Sequence, residues 1–281
     1  MLIFKKVADI RHWCARQTNP IGFAPTMGAL HDGHLELIRM AKRDGCVAIA
    51  SIFVNPTQFN DPRDLEKYPR TPEKDMMLLL SAQCDALFMP PVEEVYPQGE
   101  KLDIPLDFGV LDKVMEGKFR PGHFKGMATV VHRLLDIVRP QLLYMGQKDF
   151  QQLSIVRDMI RQMSLPIRLV MCPTVREADG VAMSSRNVRL SPEMRRNAPV
   201  IHQTLQWAKR AYADGIPTNQ VQADAFQQMQ NAGLRPEYFD IVDGVTLLPV
   251  QAGQRGGFVV ACTAAFAGDV RLIDNLVLSE S

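Results

Sequence analysis

Short apolar runs alternate with stretches of helical periodicity over the first two thirds of the chain, and this rhythm constrains the fold more than any other feature. Ile21 to Ala24 is an apolar run closed by Pro25. From His34 onward Leu35, Leu37, Ile38 and Ala41 recur at helical spacing until Asp44-Gly45. Cys46 to Val54 is almost continuously apolar, as expected of a strand covered on both faces, and Asn55-Pro56 breaks it. Thr71-Pro72-Glu73 predicts a helix start with proline in its first turn. Further strands are predicted over 85–89, 142–145 and 167–171, with helices over 126–138 and 149–163. Strands separated by helices of this length run parallel, so the expected fold class is α/β, a Rossmann-like doubly wound sheet. Ligands bind such sheets at the carboxyl ends of strands, which directs attention to the loops that follow each one.

After Cys172-Pro173 the rhythm changes. A polar loop, 176–189, leads to Ser191-Pro192-Glu193, which caps a helix predicted to reach Ala213. A second helix is predicted over 219–231. Three apolar strands, 238–242, 258–263 and 270–273, then follow without helices between them. That succession predicts a second, smaller α+β domain, with residues 1–175 in the first domain and 176–281 in the second.

Composition narrows the class. The 281 residues suffice for one large domain or two, and 46% hydrophobic with 22% charged residues excludes a disordered chain or a coiled coil. Lys and Arg total 32 against 31 Asp and Glu, a balance that argues against a protein devoted to nucleic acid or an acidic membrane surface. The five cysteines lie far apart without a CxxC pair, so they read as buried core thiols in a reducing compartment. The N-terminus carries charges after four residues and lacks the apolar stretch of a signal peptide. The longest apolar run falls well short of the roughly 18 residues a membrane span needs. A soluble cytoplasmic protein, with no membrane and no nucleic-acid partner, is expected.

The segment with the most chemical content runs from Pro25 to His34, PTMGALHDGH. It joins a buried strand to a helix, where free N–H groups and the helix dipole favour an anion. Gly28 and Gly33 let backbone approach a ligand, and two histidines three residues apart can both reach phosphate oxygens. A metal pair is the alternative, but no further ligand stands at suitable spacing. Ser184, Ser185 and Arg186, within VAMSSRN, put two hydroxyls and a guanidinium in one loop, suited to clamp a phosphate. Asn55 and Gln58 in FVNPTQF offer neutral amides at a strand end, fit for a hydroxylated carboxylic acid. Lys148 and Gln152 in YMGQKDFQQ share that strand–loop–helix placement, and EGKFRPGHFK concentrates positive charge around Arg120 and His123.

The pair HDGH and MSSR resembles the HxGH and KMSKS-like signatures of the nucleotidyltransferase superfamily. The ordered set PTMGALHDGH, FVNPTQF, EGKFRPGHF, GQKDFQQ and MSSRN resembles the pantoate–β-alanine ligase (pantothenate synthetase) family, from about Gly22 to Asn275. Thr57 departs from the pattern, since the family usually carries Met there, while Gln58 is retained. The resemblance implies a ligation in which the carboxylate of pantoate attacks the α-phosphorus of Mg-ATP, giving pantoyl adenylate and pyrophosphate. The amine of β-alanine then displaces AMP. It implies an ATP site formed by Met27, Gly28, Ala29, Leu30, His31, Asp32, Gly33 and His34, by Gly146, Gln147, Lys148 and Asp149, and by Val175. Met183, Ser184, Ser185 and Arg186 complete that site as a clamp on the lid domain. His31, His34 and Lys148 are the implied catalytic residues, with His34 as proton donor. Gln58 and Gln152 are implied to hold pantoate, and Gln58 also to lie beside β-alanine. Asn55, Arg120 and His123 are additional candidates. ATP as substrate, Mg²⁺ without a protein ligand, and a homodimer complete the expectation. Two rivals remain open on the residues themselves: a nucleotidyltransferase acting on a phosphorylated acceptor, and a non-catalytic nucleotide-binding module.

Overall fold

The computed structural model of the chain describes residues 1–58, 66, 68–97, 104–250 and 256–280. The described part begins with a strand, β1 (Leu2–Phe4), and a short helix, Val7–Cys14, neither of which the apolar rhythm announces. Strand β2 (Ile21–Thr26) leads to the helix Asp32–Arg43 and then to β3 (Val47–Ile52). The helix Pro72–Ser81 precedes β4 (Ala86–Phe88), which is followed by two single-turn helices, Val92–Val95 and Glu116–Phe119. The helix His123–Val138 starts three residues earlier than its periodicity implies and leads to β5 (Leu142–Gly146). The helix Phe150–Gln162 and β6 (Arg168–Cys172) complete a six-stranded sheet.

All neighbours in that sheet are parallel, in the order β1-β4-β3-β2-β5-β6. The chain builds outward from β2 to β3 and β4, then returns to the other side of β2 for β5 and β6. The loops after β2 and β5 therefore leave the sheet where its winding reverses, the position at which such folds form a ligand crevice. The two faces of the central strands differ in size. Phe23, Ile49 and Leu143 face the helices 7–14, 123–138 and 150–162. Ala24, Ala48 and Ala50 face the helix Asp32–Arg43. Gly22 belongs to the same tight face, since a Cβ there would lie 2.8 Å from the Tyr144 ring and 3.0 Å from the Ala41 methyl. Small residues let this helix settle close to the strands, which brings its N-terminus to the strand ends.

The C-terminal part is a separate antiparallel sheet, β7 (Arg235–Asp243), β8 (Val259–Ala267) and β9 (Val270–Ser279), with the helices Val200–Ala213 and Thr218–Asn231 on one face. Its other face packs Val242, Val260 and Cys262 onto the core of the parallel sheet, which explains why β8 is buried nearly throughout. The helix expected from Ser191 to Ala213 is two helices, Pro192–Asn197 and Val200–Ala213. Pro199 lacks the N–H a continuous helix requires and instead precedes the second one. The 176–189 stretch is partly ordered by local pairing: Arg176 bridges Ala182, and the Met183 N–H donates to the Val175 carbonyl at 3.0 Å. All five cysteines are buried and unpaired. Among the described residues no helix is long and apolar enough to cross a membrane.

Candidate active site

The loop after β2 is fixed from three sides. Gly28 (φ +84°) and Ala29 (φ +50°) take the left-handed conformation, so the chain turns sharply between strand and helix. A Cβ on Gly28 would sit 3.1 Å from Asp75 Oδ2. The buried Asp75 carboxylate accepts hydrogen bonds from the N–H of Ala29 (3.0 Å), the N–H of Leu30 (2.8 Å) and the Thr71 hydroxyl (3.1 Å). Thr26 Oγ1 accepts from the Gly28 N–H at 3.3 Å.

The two histidines then form a reciprocal cap on the helix Asp32–Arg43. His31 Nδ1 accepts from the Gly33 N–H at 3.2 Å, and His34 Nδ1 accepts from the His31 N–H at 3.4 Å. Their rings lie 4.1 Å apart, tilted by 43°. The glycine between them is demanded by space, because a Cβ on Gly33 would come within 2.9 Å of the His31 ring. A backbone N–H can only donate, so each Nδ1 must be unprotonated and each neutral ring carries its hydrogen on Nε2. Burial lowers the His31 pKa, reinforced by Lys148. Burial, then His31, lowers that of His34 to about 3. Both rings are therefore neutral Nε2–H donors at physiological pH.

The loop after β5 stands beside them. Lys148 Nζ lies 3.6 Å from the Asp149 carboxylate. Burial acts to raise the Asp149 pKa, but Lys148, Arg186 and His34 outweigh it and hold the carboxyl below its ordinary value. Asn275, on β9 of the small sheet, fastens this loop: its Nδ2 donates to the Gln147 and Lys148 carbonyls, both at 2.9 Å, and its Oδ1 accepts from Gln147 Nε2 at 3.1 Å. Met183 Cβ is 3.9 Å from where a Gly33 Cβ would stand, so the VAMSSRN segment touches the histidine loop. Ser184, Ser185 and Arg186 are partly or fully exposed, and the segment is anchored at its base by the Asn187 amide, which donates to Glu177 (2.6 Å) and to the Ala182 carbonyl (3.1 Å). A small cleft runs onward from Lys148, Ser184 and Arg186 to Arg271 and Asp274.

The acid side is built on the turn after β3. Gln58 is buried beside Met27, donating from Nε2 to the thioether sulfur. His123 Nδ1 lies 3.1 Å from the Gln58 carbonyl, which can only accept, so this histidine carries its hydrogen on Nδ1 and exposes a lone pair on Nε2. Burial, then Arg120, lowers its pKa to about 4. Arg120 is itself lowered by burial and by Arg186. Gln152 sits in the first turn of its helix, half-buried, its side-chain amide without a hydrogen-bond partner among the described residues. Its neighbour Gln151 is structural: it accepts from the Glu116 N–H and donates to the Leu111 and Val114 carbonyls.

The structure thus gathers His31, His34, Lys148, Arg186, Arg120 and His123 within the field of Asp149, with Gln58 adjoining His123. Two members of the expected set are placed otherwise. Leu30 is buried in the core beneath the loop and shapes it through its backbone. The Asp32 carboxylate is turned to solvent, 3.4 Å from Arg39. Phe59 of FVNPTQF lies outside the described residues. Sequence reasoning passed over Asp75, which reads as one more acidic residue in a helix's first turn. It also passed over Tyr68, whose phenol is raised by burial and lies within the fields of Arg186, Asp149 and Asp75.

The parallel doubly wound sheet thus carries the HDGH turn at its winding reversal, with the segment bearing Ser184, Ser185 and Arg186 facing it. The pantoate–β-alanine ligase family model matches residues 2–277. The pantothenate synthetase of Bacteroides thetaiotaomicron is 47% identical over 265 residues, covering 94% of this chain and 93% of that one. That of Pseudomonas fluorescens is 46% identical over 281 residues, covering 98% and 97%. The crystal structure of pantothenate synthetase from Thermus thermophilus superposes with a TM-score of 0.89 at 42% identity, covering 99% and 100% of the two chains. The pantoate–β-alanine ligase of Francisella tularensis, complexed with β-γ ATP and β-alanine, superposes with a TM-score of 0.80 at 34% identity, covering 99% and 98%. This chain belongs to the pantoate–β-alanine ligase family.

Proposed function

We propose that the chain condenses pantoate with β-alanine at the expense of ATP, through a pantoyl adenylate, releasing pyrophosphate and then AMP. The observation that carries this reading is the adjacency of two unlike sites. A cationic, donor-rich loop pair stands next to a neutral amide pocket, with Met27 belonging to both. A carboxylate oxygen is a poor leaving group, and adenylation exchanges it for AMP. The neutral amides of Gln58 and Gln152 can hold a hydroxy acid without adding charge, whereas a phosphorylated acceptor would call for more Arg or Lys.

In this reading His31 and His34 donate from Nε2 to phosphate oxygens as charge builds on the departing pyrophosphate. They act as preorganised hydrogen-bond donors rather than as acids that give up a proton. Lys148 supplies the positive charge beside them. Gly146, Gln147 and Asp149 line the nucleotide, Val175 meets the adenine, and Met183 to Arg186 close over the phosphates. Gln58 also adjoins β-alanine. Mg²⁺ enters with ATP, held chiefly by phosphate oxygens and water. The ionised Asp149 carboxylate is the hard oxygen donor beside that position, which suits Mg²⁺. Bound there, the ion would offset phosphate charge during transfer.

We further infer a division near Val175, with residues 176–281 acting as a lid. The self-contained apolar cluster from Val181 to Leu278 supports it. A cytoplasmic homodimer is the remaining part of the reading, and it rests on family resemblance. The decisive assay is ATP–pyrophosphate exchange. It is expected to require pantoate but not β-alanine, with AMP released once β-alanine is added. Absence of pantoate-dependent exchange refutes the reading, and turnover with a phosphorylated acceptor replaces it with the first rival.

A further inference from the structure

We propose that Thr57 and Tyr96 are positioning residues that make Gln58 a fixed hydrogen-bond donor, so that the pocket reads an acceptor oxygen of the acid substrate. The inference rests on the pantoate reading above and extends it to residues that touch no substrate.

The relay begins at Asn55, which is buried with 1% of its surface exposed. Its amide has one permitted orientation. The Thr57 N–H can only donate, and it lies 3.3 Å from Asn55 Oδ1. The Gly126 carbonyl can only accept, and it lies 3.3 Å from Asn55 Nδ2. With that orientation set, two side-chain hydroxyls donate to the same Oδ1 and hold the amide in place, Tyr96 Oη at 2.8 Å and Thr57 Oγ1 at 3.1 Å. The second Nδ2 hydrogen goes to Gln58 Oε1 at 3.2 Å. With its oxygen so engaged, Gln58 turns Nε2 toward Met27, whose sulfur is a weak acceptor. A carboxylate or hydroxyl oxygen entering the pocket is a better acceptor and takes that hydrogen.

Inverting the relay would set Nδ2 against the Thr57 N–H and Oδ1 against the Gly126 carbonyl, and would strip both hydroxyls of the acceptor they now use, so Gln58 cannot present its oxygen without breaking these bonds. The close approach that makes this possible depends on Gly126. A Cβ there would stand 2.6 Å from the Thr57 carbonyl oxygen and 3.3 Å from Gln58 Cα.

The test uses Thr57→Val, Tyr96→Phe and their double variant, which keep the backbone N–H and the side-chain bulk. Thr57→Ser serves as the conservative control. Steady-state constants for pantoate and ATP are measured together with pantoate-dependent exchange. Each single variant should raise the pantoate KM about fivefold and the double variant at least about tenfold, with the ATP KM within about twofold of wild type. Thr57→Ser should restore wild-type behaviour. An unchanged pantoate KM in the double variant overturns the relay, as does an equal rise for both substrates, which would mean general damage. Should the double variant fail to fold, Tyr96→Phe alone decides by the same criterion. Wild-type enzyme lacking pantoate-dependent exchange would instead refute the functional reading itself.

Discussion

The two loops that face each other across the site are held in opposite ways. The histidine loop, Met27 to His34, is tied down by its own backbone, by Asp75 and by the reciprocal histidine cap. The segment Met183 to Arg186 is held by the Met183 N–H on the Val175 carbonyl and by Asn187 at its base, and its polar side chains are partly or fully exposed. A rigid half costs no reorganisation when charge develops in the transition state, and a loosely held half can admit substrate and shut out water afterwards. Fixed donors are thus concentrated on the parallel sheet, whereas the facing segment of the α+β part leaves its polar side chains more exposed.

Substitutions that break the rigid half should have the largest effect. Lys148→Ala or His34→Ala should leave a folded protein with adenylation reduced by about a thousandfold, of the order seen when a preorganised donor is removed. Pyrophosphate release measured in single turnover checks this, and a near-normal rate would remove the residue from its role. Asp75→Asn keeps shape but weakens two charge-assisted bonds to the loop. It should cost about 2 kcal/mol in denaturant unfolding and raise the ATP KM roughly tenfold. Arg186→Ala, on the loose half, should lower kcat by about tenfold without moving the thermal midpoint. A large fall in melting temperature would show that the clamp is structural after all.

The smallest effect sharpens the electrostatic side of the same contrast. His123 is buried with its pKa lowered to about 4, against about 6.5 unfolded. Below pH 6.5 the unfolded chain takes up a proton that the folded chain refuses, so stability falls as pH drops from about 6.5 toward about 4. At about pH 5 this one group should cost about 2 kcal/mol, and His123→Gln should flatten the pH dependence of the unfolding midpoint by that amount. His34, lowered to about 3, contributes no inflection between about pH 5 and 8 to kcat/KM for ATP.

How much could be read in advance varied with the range of the interaction. The helix Asp32–Arg43 was legible because its apolar period, its first-turn acid and Asp44-Gly45 are all local. Strand β1 was not, since so short a strand carries no period and its partner β4 lies far along the chain. His31, His34 and Lys148 were legible because strand–loop–helix junctions announce themselves. Asp75, Asn275 and Tyr96 were not, because each acts across a long sequence gap on the backbone or amide of another segment.

The sequence by itself determined the alternation of buried strands and crossover helices, and with it the strand ends where chemistry belongs. It also supplied the ordered motifs that join phosphate handling to an amide pocket. Only the tertiary structure decided the protonation and polarity of those groups. Both histidine rings of the HxGH turn are neutral because they cap one helix and stand together, half-buried, beside Lys148. Gln58 is a donor because Gly126 and Thr57 admit one orientation of Asn55. The physical reason is common to both: a side chain's hydrogen-bond role is set by the partners it is packed against, and those come from distant parts of the chain.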